Sequence, residues 1–218
     1  MRLKLWKRNG SPILENKQTI TLAITGASGA AYALRLLELL VQQDMRVFLL
    51  ISEAARIVFE TEEDIKLPQD LRQLATVLQD GFAAKKGQLS VFGPDEWIAP
   101  VASGSGAPKQ MIVCPCTMGT LAAIATGASD NLLERAADVV IKERGNLILV
   151  PREMPYSSIH LENMLKLSRM GVTILPASPS FYNKPQKISD LIDSVVGRVL
   201  DHVGIEHQLQ ARWGQEDY

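Results

Sequence analysis

Short apolar runs alternate with amphipathic stretches along nearly the whole chain. That alternation marks repeated βα units wound into a parallel sheet. Ile20 to Thr25 is the first predicted strand, GASGA the turn after it, and Ala30 to about Gln43 a helix with Leu34, Leu37, Leu40 and Val41 on one face. Val47 to Ile51 is a second strand, and Ser52 stands where the next helix should begin. Asp64 to Lys86 reads as further helix interrupted at Pro68. Met111 to Cys114, Leu147 to Val150 and Val172 to Leu175 complete the predicted strands. CTMGTLAAIATG reads as a small-residue helix start, and further helices are expected over Leu132 to Glu143, Ile159 to Met170 and Ile188 to Val203. The pattern predicts an α/β protein with a Rossmann-like (flavodoxin-like) three-layer fold and a mostly parallel sheet. Gly93 to Pro108, rich in Gly, Pro, Ser and Ala around Trp97, breaks the pattern, and a loop of that length is usually functional.

Length and charge narrow the options. At 218 residues the chain suits one domain: residues 1–18 are expected to form a loose basic leader, and 19–218 a single domain with an irregular C-terminal tail. Lys and Arg number 23 against 24 Asp and Glu, so no general affinity for nucleic acid or a membrane surface is implied. Any recognition of anions must be local. Cys114 and Cys116 flank one proline, too close for an ordinary disulfide and too few for a zinc site, which fits a reducing cytoplasm. No apolar run reaches the roughly 18 residues a spanning helix needs. A cytoplasmic protein is expected, with an organellar role for the basic leader left open.

Candidate chemistry collects at the predicted strand ends, where open α/β sheets bind ligands. Leu147 to Val150 leads into Pro151, Arg152 and Glu153, with Arg135 and Lys142 on the helix just before it. A guanidinium beside a carboxylate there suits an anionic ligand that also exchanges protons. TGASGA, with Gly26, Ala27 and Ser28, is a nucleotide-loop position or simply a strand-to-helix turn; it is not GxGxxG. CPCTMGTL puts Cys116, Thr117, Met118 and Gly119 in a second such turn, with Cys114 as a core thiol. Tyr182 offers a phenol or packs over the sheet edge, and Arg198, among apolar residues, binds an anion or reaches solvent. Glu62 and Glu63 belong to a charge run that would ordinarily be a solvated helix face. Trp97 stacks on a planar ligand or fills a contact. The three histidines, His160, His202 and His207, sit on predicted helices or the tail, where structural roles are favoured.

TGASGA, CPCTMGTLA, NLLERAADVVIKER, VPREMPYSSIHLENMLKL, FYNKPQ and VGRVLDHVGI together resemble the flavin prenyltransferases of the UbiX type, from Thr19 to Gly214. The resemblance implies a homododecamer with FMN at a junction between subunits. It also implies joining of the dimethylallyl group of dimethylallyl monophosphate to N5 and C6 of reduced FMN, giving a prenylated FMN for a UbiD-type decarboxylase. By it, Gly26, Ala27, Ser28, Ser52, Cys116, Thr117, Met118, Gly119 and Arg152 would hold FMN. Trp97, Lys142, Tyr182 and Arg198 would hold the allylic substrate, and Ser28, Glu62, Lys142 and Glu153 would serve the chemistry. No metal is expected, since no DDxxD-like cluster occurs. Two alternatives share the cofactor: a flavin-dependent cysteine decarboxylase, disfavoured because no histidine precedes His160, and a protein that only binds and delivers FMN.

Overall fold

Six short runs form strands: β1 Thr19–Ile24, β2 Arg46–Ile51, β3 Leu89–Phe92, β4 Gln110–Cys116, β5 Asn146–Pro151 and β6 Thr173–Ile174. In β1, β2, β4 and β5 every residue after the first is buried, as parallel strands covered on both faces require. This computed structural model describes residues 18–210; the leader, apart from Gln18, and positions 211–218 lie outside the described residues. All the pairings are parallel, in the order β3-β2-β1-β4-β5-β6. That is the order of the doubly wound Rossmann sheet, and the winding reverses between β1 and β4.

Helices α1 (Ala30–Gln42), α2 (Glu53–Glu63), α3 (Leu71–Gly81) and α7 (Ile188–Val203) cover one face. Leu36, Leu40, Phe59, Leu74, Val196 and Leu200 meet Ile20, Leu22, Leu49, Ile112 and Ile148 there. Helices α4 (Met118–Thr126), α5 (Leu132–Lys142) and α6 (Ser158–Arg169) cover the other, where Leu121, Leu132, Val140 and Leu167 meet Ala23, Leu50, Val113 and Leu149. Burial of these side chains, about 1.5–3 kcal/mol each, drives the layering. Among the described residues no helix is long and apolar enough to cross a membrane.

The three-layer α/β fold agrees with the pattern of the chain, and three local expectations are corrected. β3 stands where no strand was expected; it is four residues long, lies at the sheet edge and buries only Leu89 fully. The expected helix over Asp64 to Lys86 is confined to α3, opened by Asp70, whose carboxylate accepts from the Arg72 and Gln73 amides at 3.0 and 2.9 Å. That is the N-cap geometry Asp favours. β6 keeps two of its four expected residues.

Direction matters for the site. Strands end and α1, α2, α4 and α5 begin at one edge of the sheet, the carboxyl edge. Helices end and strands begin at the other. Side chains of Gln110 and Asn146, the first residues of β4 and β5, donate to the Val203 and His202 carbonyls at 3.2 and 2.9 Å, which fixes the end of α7 at the amino edge.

Candidate functional site

Thr25 ties the switch point together. Its hydroxyl donates to the Pro115 carbonyl and accepts from the Thr117 amide, both at 2.8 Å, while 2% exposed. The end of β1 is thereby bound to the turn between β4 and α4. No motif singled out this residue in the sequence, because its partners lie about ninety positions away.

The turn after Thr25 is held from a second direction. A Cβ at Gly26 would stand 2.4 Å from the Ala54 Cβ, so glycine permits α2 to approach. Gly29 has φ 118°, a left-handed conformation suited to glycine. Beyond it, the Gly29 and Ala30 amides donate to one oxygen of Glu62, at 2.8 and 2.9 Å. The Ser28 side chain also hydrogen-bonds Glu62, and Arg152 donates to the Ser28 carbonyl at 3.3 Å. An anion at a helix start is favourable, and here the chain's own carboxylate fills that place. The amides at the start of α1 therefore serve Glu62, which corrects the reading of GASGA as a phosphate turn at its helix start.

Glu62 lies on the last turn of α2, where a solvated charge run was the plain expectation. Partial burial pushes its carboxyl upward. The Ser28, Gly29 and Ala30 hydrogen bonds and the charge of Arg152 together outweigh that and hold it below the ordinary carboxylate value. Glu62 is a carboxylate at neutral pH.

Two further helix starts share this edge. Ser52 caps α2, its hydroxyl accepting from the Ala55 amide at 3.2 Å, and Thr117 caps α4, accepting from Thr120 at 3.1 Å. The amides of Met118 and Gly119 belong to the first turn of α4, whose N–H groups have no intrahelical acceptor. A Cβ at Gly119 would meet only the Thr117 hydroxyl, at 3.9 Å, so the backbone there is approachable. These amides, the Ser52 hydroxyl and the Arg152 guanidinium form a donor set suited to a phosphate and to the carbonyl oxygens of a flavin ring.

Cys116 departs from the expected turn. It is the last residue of β4 and fully buried, with its thiol in the core beside Leu121 and Leu149. Met118 is buried in the same core. Only the backbone of these two residues can reach a ligand. Burial pushes the Cys114 thiol up to about 12 and Cys116 higher still, so neither is a nucleophile at neutral pH.

Lys142 is not beside Arg152. It ends α5, four residues before Asn146 opens β5, and Arg152 follows the other end of that strand. Six strand residues at about 3.3 Å each separate the two by nearly the full depth of the sheet. Lys142 is held by Glu143 at 2.5 Å. Arg198 also sits toward the amino edge, five residues before the end of α7, paired to Asp201 at 2.6 Å. Arg135 donates to the Ala102 carbonyl at 3.1 Å and pairs with Asp138 at 2.7 Å, which ties the long loop to α5. Expecting Lys142 at the carboxyl end of β5 ignored that a crossover helix runs opposite to its strands.

Trp97 is 47% exposed in the loop after β3, three residues past Pro94, whose carbonyl accepts from the Leu132 amide at 2.8 Å. Tyr182 is 77% exposed in the loop after β6. Glu153 is half-buried next to Arg152, its carboxylate accepting from the Met154 amide at 3.2 Å. Among the described residues no group of three or more His, Cys, Asp or Glu could hold a metal ion.

A parallel doubly wound sheet with hydrogen-bond donors gathered at its carboxyl edge places the chain in the Rossmann-like class, and the family model described as Flavoprotein matches residues 10–200. The chain is 54% identical over 203 residues to the flavin prenyltransferase UbiX of Pseudomonas aeruginosa, covering 93% of this chain and 97% of that one. It is 52% identical over 200 residues to the flavin prenyltransferase UbiX of Halalkalibacterium halodurans, covering 92% and 95%. It belongs to the UbiX flavin prenyltransferase family. Among solved structures, AnUbiX in complex with FMN and dimethylallyl pyrophosphate superposes with a TM-score of 0.81 at 38% identity, covering 92% of this chain and all of that one. A dodecameric FMN-dependent UbiX-like decarboxylase from Escherichia coli gives 0.77 at 42% identity, covering 89% and 98%. The peptidyl-cysteine decarboxylase EpiD, at 0.56 and 16% identity over 86% and 98%, shares the fold alone.

Proposed function

We propose that this chain transfers the dimethylallyl group of dimethylallyl monophosphate to reduced FMN, releasing phosphate and prenylated FMN. The observation that carries the reading is the carboxyl-edge cradle, in which Arg152, Ser28 and an ionised Glu62 close around the switch point. A relative holding FMN and an allylic pyrophosphate together on this fold supports it. Bound in its reduced form, FMN supplies N5 and C6, the atoms to which the allyl group becomes joined.

Each residue then has a task set by charge. Gly26, Ala27, Ser28 and Ser52, the Cys116 to Gly119 backbone and Arg152 hold FMN. Lys142, Tyr182 and Arg198 grip the phosphate as its ester bond to the allyl carbon breaks and negative charge gathers on it. Glu62, ionised at neutral pH, cannot donate a proton; it steadies the positive charge that develops on the allyl group. The π-face of Trp97 does the same. Glu153 and the departing phosphate accept the proton lost from C6.

Lys142 and Arg152 act on one site only if different copies supply them, because one chain holds them at opposite edges of its sheet. That supports FMN at a junction between subunits of a homododecamer. We further assign a cytoplasmic location, delivery of the product to a UbiD-type decarboxylase, and no role at membranes or nucleic acid. The test is anaerobic incubation of the protein with reduced FMN and either dimethylallyl monophosphate or the pyrophosphate. Mass spectrometry should show a flavin carrying one added C5 unit with the monophosphate; no such flavin with either substrate refutes the transfer.

A further inference from the structure

Arg198, the cation assigned above to the allylic phosphate, is not held by its own helix alone. Its Nη1 donates to one oxygen of Asp201 at 2.6 Å, and the other oxygen of Asp201 lies 3.2 Å from His207 Nε2. His207 comes from the segment after α7 that folds back along the helix. The Leu209 amide donates to His207 Nδ1 at 3.3 Å, which leaves Nε2 as the protonated nitrogen facing Asp201. The ring packs on bare backbone: a Cβ at Gly197 would stand 3.0 Å from its Cε1. The His207 side chain is 6% exposed, whereas that of Arg198 is 58% exposed. A buried imidazole therefore orients a carboxylate that in turn orients an accessible guanidinium.

The contact to Asp201 uses a single guanidinium nitrogen. An arginine held at Nη1 still presents Nε and Nη2 for a two-point contact with phosphate. Fixing its direction beforehand removes part of the ordering cost of binding. The same helix face anchors the loop that carries Tyr182, because the Ser180 amide donates to the Ser194 hydroxyl at 3.2 Å.

We propose that Asp201 and His207 are positioning residues for the allylic phosphate, setting the direction of Arg198 from the C-terminal segment. This rests on the assignment of Arg198 to that phosphate. Neither residue touches the reacting atoms.

The test uses the full chain, reduced FMN and dimethylallyl monophosphate, reading KM, kcat and FMN affinity. Arg198→Ala should raise KM for the monophosphate and leave FMN bound. Asp201→Asn should raise KM about tenfold with kcat nearly kept, the size of one charge-assisted hydrogen bond lost. His207→Phe, which keeps a ring against Gly197, should raise it about threefold, the smaller effect of an indirect contact. In the Arg198→Ala background, Asp201→Asn should change KM no further.

The outcomes separate the two ideas. A normal KM in Arg198→Ala removes both the phosphate assignment and this inference. A raised KM there with a normal or lowered KM in Asp201→Asn overturns the inference alone, as does an Asp201→Asn effect that persists without Arg198. If Asp201→Asn fails to fold, His207→Phe decides on the same two readouts.

Discussion

The two edges of the sheet handle charge in opposite ways. At the carboxyl edge the groups interlock across the chain: Glu62 reaches back to Gly29 and Ala30, and Arg152 reaches Ser28 over 124 positions. Toward the amino edge, Lys142 and Arg198 each rest on a carboxylate one to three residues along: Glu143 and Asp201. The first arrangement is a site prepared within one chain. The second is a set of surface cations, each held by a nearby carboxylate in a pair that contributes little to stability and leaves donor hydrogens for another anion. A difference of this kind points to a site completed between copies.

The largest effect should come from testing that division directly. Arg152→Ala should weaken FMN binding about a hundredfold, the loss of the guanidinium proposed to hold the cofactor, and Lys142→Ala should keep FMN but lose turnover. Co-expressed in equal amounts, the two inactive chains should regain up to about one quarter of the wild-type rate, since random assembly of heterologous junctions leaves that share with both cations. Anaerobic rates on the co-purified mixture measure it. No recovery would place both cations in one chain's site and end the contrast between the edges.

Much of the cradle was legible in the chain, and what was not has physical causes. The strand ends, Ser52 as a cap and Arg152 after β5 follow from hydrophobic runs and turn chemistry, which are local. The partners of Glu62 and Thr25 are not, because they lie 32 and more positions away and spacing carries no trace of them. Cys116 misled for another reason. A register shift between Val113 and Cys116 breaks the period of two, so Cys114 and Cys116 enter opposite core layers. β3 escaped because an edge strand with one buried residue leaves almost no pattern.

A middling effect is expected at Glu62, which probes how far the carboxyl edge is prepared before any ligand arrives. Glu62→Gln keeps an oxygen for the Gly29 and Ala30 amides but removes the charge, and should cost about 1 kcal/mol at neutral pH, as helix-start contacts do. Because the folded carboxyl sits below its ordinary 4.5, its contribution is complete above that value and is lost as the pH falls through the folded pKa. Urea unfolding of both proteins from pH 7 downward should show the gap closing in acid. A gap that widens in acid would mean Glu62 is stabilised as the protonated acid, and the electrostatic role assigned to it would fail.

The smallest effect should be on stability at Lys142. Its ammonium and the Glu143 carboxylate are both about half exposed, at 45% and 47%, so water screens the pair despite their 2.5 Å separation. Lys142→Ala should leave the melting temperature unchanged within error, as the loss of a screened surface pair does. Removing it does free Glu143, whose carboxyl is now held down chiefly by its hydrogen bond and charge contact with Lys142. A near-silent change in melting beside a large loss of turnover would separate the two edges cleanly, since a lysine that stabilises nothing in its own fold has its use elsewhere. A loss of several degrees would instead make Lys142 a structural residue and return the search for a second phosphate cation beside Arg198 to Arg135.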